Sequence, residues 1–257
     1  MTNIVLLGAG STSFSIELLK DISTLPSLGG STLSLVDIDE KRLRMAEALV
    51  TRYCRESKMN LKIRAFKERR DALVGAEYVI CAVKIGGYGP LEKERGIAEA
   101  HGYYRGIGDR VSCYYGGIGA YHQINFLEGL ARDMQELCPD AWLVQTANPV
   151  FEGTNYITRH YNIKAVGVCH GHNAYKEIIE ELGLERDKVN VEVVGFNHCI
   201  FMTGFKYKGK DAYPLLDQWI EGKSEEYWQS ERYMDPNRVF SKDQLSPGAI
   251  EAYRLYG

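Results

Sequence analysis

Four short clusters in this chain carry side chains or bare backbone that do chemistry. The first, Gly8-Ala9-Gly10-Ser11-Thr12-Ser13, follows an apolar run at residues 4–7. Gly8 permits a tight turn, and Gly10 lets the backbone approach a pyrophosphate. The helix that this cluster opens would present its N–H groups to the anion. Ser13 stands where a third glycine is usual, so the fingerprint is partial and a plain turn is the competing reading. The second cluster is Gln145-Thr146-Ala147-Asn148-Pro149. Proline keeps Asn148 out of helical geometry and leaves its amide available to donate and accept. The others are Cys169-His170-Gly171-His172-Asn173 and Gly195-Phe196-Asn197-His198-Cys199. Cys169 and His198 offer a thiolate and an imidazole, which suit a transition metal. A core cysteine and a satisfied histidine fit the same spacing.

Asp37 closes the run Leu33-Ser34-Leu35-Val36. A carboxylate at the end of a second strand accepts both ribose hydroxyls of adenosine and repels a 2′-phosphate, which favours NAD over NADP. Asp39 is the rival for that role, but it reads better as the N-cap of a charged helix. Lys84-Ile85-Gly86-Gly87 follows a later apolar run and reads either as a second backbone approach beside the cofactor or as a flexible loop.

The elements that position these clusters alternate in type. Strands are expected at 4–7, 32–36, 61–66, 78–83, 142–145 and 165–168. Helices are expected at 13–25, 40–57, near 72, and at 122–137, 152–160 and 176–182. That alternation predicts an α/β fold with a Rossmann-type doubly wound parallel sheet. Ligands of such sheets bind outside the C-terminal strand ends, where the clusters fall. Near residue 189 the texture changes to β-rich runs at 189–194 and 200–207, with a turn at Lys208-Gly209-Lys210. Beyond Ala212 it becomes helical and aromatic. The domains expected are a dinucleotide-binding domain over 1–190 and the start of an α+β substrate domain over 191–257, incomplete at its C-terminus.

Composition narrows the function classes. The chain has 257 residues, 45% hydrophobic and 25% charged, with net charge −3 and no basic block. That argues against nucleic acid or an anionic membrane as the main partner. The six cysteines, Cys54, Cys81, Cys113, Cys138, Cys169 and Cys199, form no CxxC pair. They read as cytosolic thiols. The N-terminal apolar run reads as a strand rather than a signal peptide, and no stretch approaches a membrane span. The expectation is a cytoplasmic protein acting on a small molecule.

The ordered motifs V-L-L-G-A-G-S, T-A-N-P, C-H-G-H and G-F-N-H resemble glycoside hydrolase family 4, the NAD- and manganese-dependent glycosidases. The resemblance continues through D-A-Y-P-L-L-D-Q-W-I-E and Q-L-S-P-G-A-I-E-A-Y-R-L-Y-G, and leans to the α-glucosidase and α-glucuronidase branches. It implies that NAD is held by Gly8, Gly10, Ser11, Thr12, Asp37, Lys84, Ile85 and Asn148. It implies that Cys169 and His198 hold Mn2+, and that Asn148, His172 and Asn197 contact an α-glucoside or α-hexuronide. A homo-oligomer, dimer or tetramer, is expected. His170 falls where relatives place an acid or a substrate contact. The loop Val111-Ser112-Cys113-Tyr114-Tyr115 departs from the α-glucosidase pattern, which has an aspartate in place of Cys113. Either nearby Asp109 takes that role, or His170 is the acid, or the specificity differs.

The implied chemistry is not the usual two-carboxylate hydrolysis. It begins with hydride transfer from carbon 3 of the sugar to NAD, which acidifies the proton on carbon 2. Elimination of the aglycone, addition of water and return of the hydride complete the cycle, so NAD is recycled. Two rivals stand beside it. A 2-hydroxyacid dehydrogenase could use Arg105 or Arg110 as a carboxylate clamp but leaves C-H-G-H and G-F-N-H unexplained. A non-catalytic NAD-binding module predicts affinity without turnover.

Overall fold

The computed structural model describes residues 1–86, 89–102, 120–169, 173, 175–196, 199–234 and 244–256. They form two compact units, Met1–Val168 and Cys169–Gly257.

The first unit is built on strands β1 (Asn3–Leu7), β2 (Thr32–Val36), β3 (Lys62–Phe66), β4 (Tyr78–Cys81), β5 (Trp142–Gln145) and β6 (Lys164–Gly167). They make one sheet in the order β3-β2-β1-β4-β5-β6. Every pairing is parallel. Its helices are α1 (Thr12–Ser23), α2 (Glu40–Glu56), α3 (Arg69–Leu73), α4 (Gly89–Ala100), α5 (Ala120–Leu137) and α6 (Val150–His160). The strand order reverses direction at β1, which creates the crevice where this fold class binds dinucleotides.

The sequence of β1 explains its central place. A strand covered on both faces must be apolar throughout, and Ile4 to Leu7 are all buried. Ile4 and Leu6 pack with Leu33, Leu35, Leu43 and Val50 on one face. Val5 and Leu7 pack with Leu127, Leu130, Met134 and Ile157 on the other. Asp39 caps α2 as expected, its carboxylate accepting the Arg42 N–H at 3.1 Å. Helix α4 was not anticipated. Outside the sequence expectations as well, Arg69 on α3 donates to Asp133 on α5 at 2.7 Å, and Arg70 bridges Asp133 and Glu136.

The second unit holds α7 (Tyr175–Glu181), β7 (Val189–Phe196), β8 (Cys199–Tyr207), β9 (Lys210–Asp211), α8 (Tyr213–Gln229), α9 (Glu231–Met234) and α10 (Pro247–Tyr256). Its antiparallel sheet runs β7-β8-β9. Lys208 and Gly209 turn between β8 and β9 with positive φ. Phe205, Leu216, Trp219, Ile220 and Tyr227 form its core with Ile178 and Ile179 of α7. The buried Glu177 carboxylate accepts the Tyr227 hydroxyl at 3.2 Å and the Gln244 N–H at 2.8 Å. Among the described residues no helix is long and apolar enough to cross a membrane.

Candidate functional site

The loop from β1 into α1 is shaped by its neighbours. Gly8 has φ +86°, and a Cβ there would lie 3.0 Å from the Ala82 carbonyl oxygen, so both conformation and space require glycine. The Gly8 and Ala9 N–H groups donate to the Val36 carbonyl at 2.9 and 3.0 Å, tying the loop to the end of β2. Ser15, buried in α1, donates to the Ala9 carbonyl at 2.9 Å. Ser11 takes the N-cap position of α1 without a side-chain cap bond, and Thr12 opens the helix. The first-turn N–H groups are therefore not consumed by the cap, which leaves a helix end suited to an anion.

Asp37 is woven into this loop. Its Oδ2 accepts the Gly10 N–H at 2.8 Å, and its Oδ1 accepts the Asp39 N–H at 2.9 Å. A Cβ on Gly10 would sit 2.5 Å from Asp37 Oδ2, so Gly10 must be bare for the carboxylate to stand there. This is a second reason for Gly10, beyond the approach to a phosphate that the sequence suggests. Each carboxylate oxygen accepts more than one hydrogen bond, so Asp37 keeps capacity for ribose hydroxyls.

Two further loops leave the same edge of the sheet. After β4, Val83-Lys84-Ile85 is held by Gln123 of α5. The Gln123 Nε2 donates to the Val83 carbonyl at 2.8 Å, and its Oε1 accepts the Ile85 N–H at 3.0 Å. Lys84 and Ile85 are half-buried. After β5, the Thr146 hydroxyl donates to the Cys81 carbonyl at 2.8 Å, and the Thr146 and Ala147 N–H groups donate to the same oxygen. Fully buried Gln145 donates from Nε2 to the Ala147 carbonyl at 2.7 Å, while its Oε1 has no hydrogen-bond partner. The segment before Asn148 is thus pinned to the end of β4. Asn148 is half-buried, and its peptide bond to Pro149 is cis.

Gln123 and Gln145 were missed as holding groups by the reading of the sequence. The signal for Gln123 is its register. It stands in the buried stripe of α5 with Ala120, Leu127, Leu130 and Met134, where an apolar residue is the default. An amide buried there without partners would cost about 1–3 kcal/mol.

Gly8, Gly10, Ser11, Asp37, Lys84, Ile85 and Asn148 therefore lie in loops leaving the C-terminal ends of β1, β2, β4 and β5. Cys169 follows two residues after the end of β6 and opens the second unit. It is a half-buried thiol, whereas Cys54, Cys81 and Cys138 are buried. Burial pushes the thiols of Cys81 and Cys138 up to about 11. Such thiols stay protonated, which suits core packing and not metal binding. Phe196 and Cys199 pair across the β7–β8 hairpin, and Asn197 and His198 between them lie outside the described residues. Asp109, His170 and His172 also lie outside them, as does Cys113. Among the described residues no group of three metal-ligating side chains gathers.

The sequence matches the model of the family 4 glycosyl hydrolases over residues 3–185 and that of the family's C-terminal domain over 193–257. The chain belongs to glycosyl hydrolase family 4. This family 4 chain is 34% identical over 228 residues to an α-galactosidase of Bacillus subtilis (strain 168), covering 87% of this chain and 52% of the relative. It spans about half the length of the curated relatives it matches. Two solved structures share its fold. A 6-phospho-α-glucosidase from gut microorganisms, in complex with NAD and glucose-6-phosphate, superposes with TM-score 0.78 at 19% identity, covering 98% of this chain and 57% of that one. A 6-phospho-β-glucosidase from Thermotoga maritima, solved with manganese, NAD+ and glucose-6-phosphate, gives 0.73 at 22%, covering 90% and 56%. The family 4 frame accounts for the six-stranded parallel sheet and for the antiparallel sheet that follows it.

Proposed function

We propose that the protein hydrolyses α-glycosidic bonds with a resident NAD and a divalent metal, manganese by preference. The observation that carries this reading is the Gly8–Gly10–Asp37 loop, built as a dinucleotide cradle, in a family 4 chain that also bears Cys169 and His198. When bound, NAD supplies reversible hydride transfer at carbon 3 of the sugar, and the metal supplies Lewis acidity beside the carbon so oxidised.

The chain's own residues then have defined tasks. The Gly8–Ser11 loop and the first turn of α1, starting at Thr12, hold the pyrophosphate, and Asp37 holds the adenosine ribose. Lys84, Ile85 and Asn148 line the other half of the cofactor, and Asn148 also meets the sugar with His172 and Asn197. Cys169 and His198 hold the metal: the Cys169 thiol is half-buried, whereas the thiols of Cys54, Cys81 and Cys138 are sealed in the core. His170 or Asp109 delivers a proton to the leaving oxygen. The sugar is an α-glucoside or α-hexuronide, and the activity of the Bacillus subtilis relative adds an α-galactoside to that class. Cytoplasmic residence and assembly as a dimer or tetramer belong to the same proposal. Family membership disfavours the 2-hydroxyacid dehydrogenase and the inert NAD module.

The intact gene product should release the aglycone from an aryl α-glycoside only when NAD and Mn2+ are both present, with no net NADH. NADH rising in step with product would replace the glycosidase with a dehydrogenase. Asp37→Ala should weaken NAD binding by about 1–3 kcal/mol, the range for losing charged hydrogen bonds. Calorimetry showing wild-type affinity would remove Asp37 from the cofactor site.

A further inference from the structure

We infer that Gln123 is a positioning residue for the cofactor, acting through the loop after β4; this rests on the reading that the first unit binds NAD. Strand β4 ends at Cys81, and beyond it the chain leaves the sheet. The Gln123 side chain meets the Val83 carbonyl and the Ile85 N–H, two groups on one edge of the departing backbone. One amide thus pairs with the chain as a neighbouring strand's peptide would, and ties down the backbone from Val83 to Ile85. Gln123 is 4% exposed, so this pairing is shielded from water, and both ends of the amide are used.

The placement gives the residue a specific consequence. Strand β1 lies between β2 and β4, so the loop held by Gln123 is on the far side of β1 from Asp37. In this fold class the two halves of a dinucleotide lie on opposite sides of the crevice at that strand. Gln123 therefore sets the nicotinamide half, and the Gly8–Asp37 side sets the adenosine half without it. The Ile85 N–H is committed to Gln123, so Ile85 meets the cofactor through other atoms. Lys84, between the two tethered residues, takes its position from both bonds.

The test is Gln123→Glu in the intact gene product, with NAD and ADP binding measured side by side by calorimetry. Glutamate keeps the shape and the acceptor for Ile85 but loses the donor to Val83 and sets an oxygen against its carbonyl. NAD should bind about tenfold more weakly, about 1.4 kcal/mol, while ADP, which occupies only the adenosine side, binds as in wild type. Gln123→Met, which removes both hydrogen bonds without introducing a charge, should show the same split. NAD affinity unchanged in both variants, with wild-type binding intact, would overturn the inference. So would an equal loss of NAD and ADP in both variants, which would mark Gln123 as a core residue only. Wild-type protein that binds ADP or NAD not at all would instead remove the cofactor reading beneath it.

Discussion

Cys169→Ser in the intact gene product should abolish manganese-dependent glycoside hydrolysis while leaving NAD binding within about twofold of wild type. The size of the effect follows from the donor atom. A thiol ionises near pH 8.5 and lower beside a cation, whereas a serine hydroxyl stays neutral and binds a divalent metal weakly. Altering groups behind a ligand already costs about 10–100-fold in metal affinity or activity, and replacing the ligand itself costs more. The half-buried side chain is part of none of the three hydrophobic clusters, so the fold should lose no more than about 1 kcal/mol. Cys138→Ala is the matched control. Its thiol is buried in the first core and pushed up to about 11, so its loss should lower stability and leave metal content intact. Elemental analysis decides between the two readings of Cys169. A serine variant that keeps wild-type manganese would return Cys169 to the packing role.

The sheet was legible because its strands follow simple rules. β2 falls at Thr32–Val36 and β5 at Trp142–Gln145, as the apolar runs and their polar ends predict. Asp39 was legible as a cap because a carboxylate before Glu40-Lys41-Arg42 has few other local uses. Helix α4 escaped because Gly89-Pro90 opens it and a glycine, Gly96, stands in its interior, so neither propensity nor apolar spacing marks it strongly. In the candidate site, residue types revealed the Gly8 turn and Asp37, since each has one dominant physical reason to be there. What the sequence withheld was the support behind them. The bond between Asp37 and Gly10 joins residues 27 apart, and that between Gln123 and Val83 joins residues 40 apart. Long-range pairs of that kind leave only an indirect trace, a polar residue in an apolar stripe. The proposed metal pair rests on a resemblance, because a lone cysteine and a distant histidine carry no spacing rule of their own.

Hydrolysis in heavy water tests the central claim most directly. If the reaction passes through oxidation at carbon 3, the proton on carbon 2 becomes acidic and must leave before the aglycone does. Water then adds, and a solvent proton returns to carbon 2 in each turnover. Neither a two-carboxylate glycosidase nor a simple dehydrogenase exchanges that proton. The motive is the presence in one family 4 chain of both the Asp37–Gly10 cradle and the residues Cys169 and His198. The intact gene product, supplied with NAD, Mn2+ and an α-glycoside in deuterium oxide, should release sugar labelled at carbon 2 with no net NADH. Sugar released by the active protein without deuterium at carbon 2 would contradict the account, even with NAD and manganese both bound.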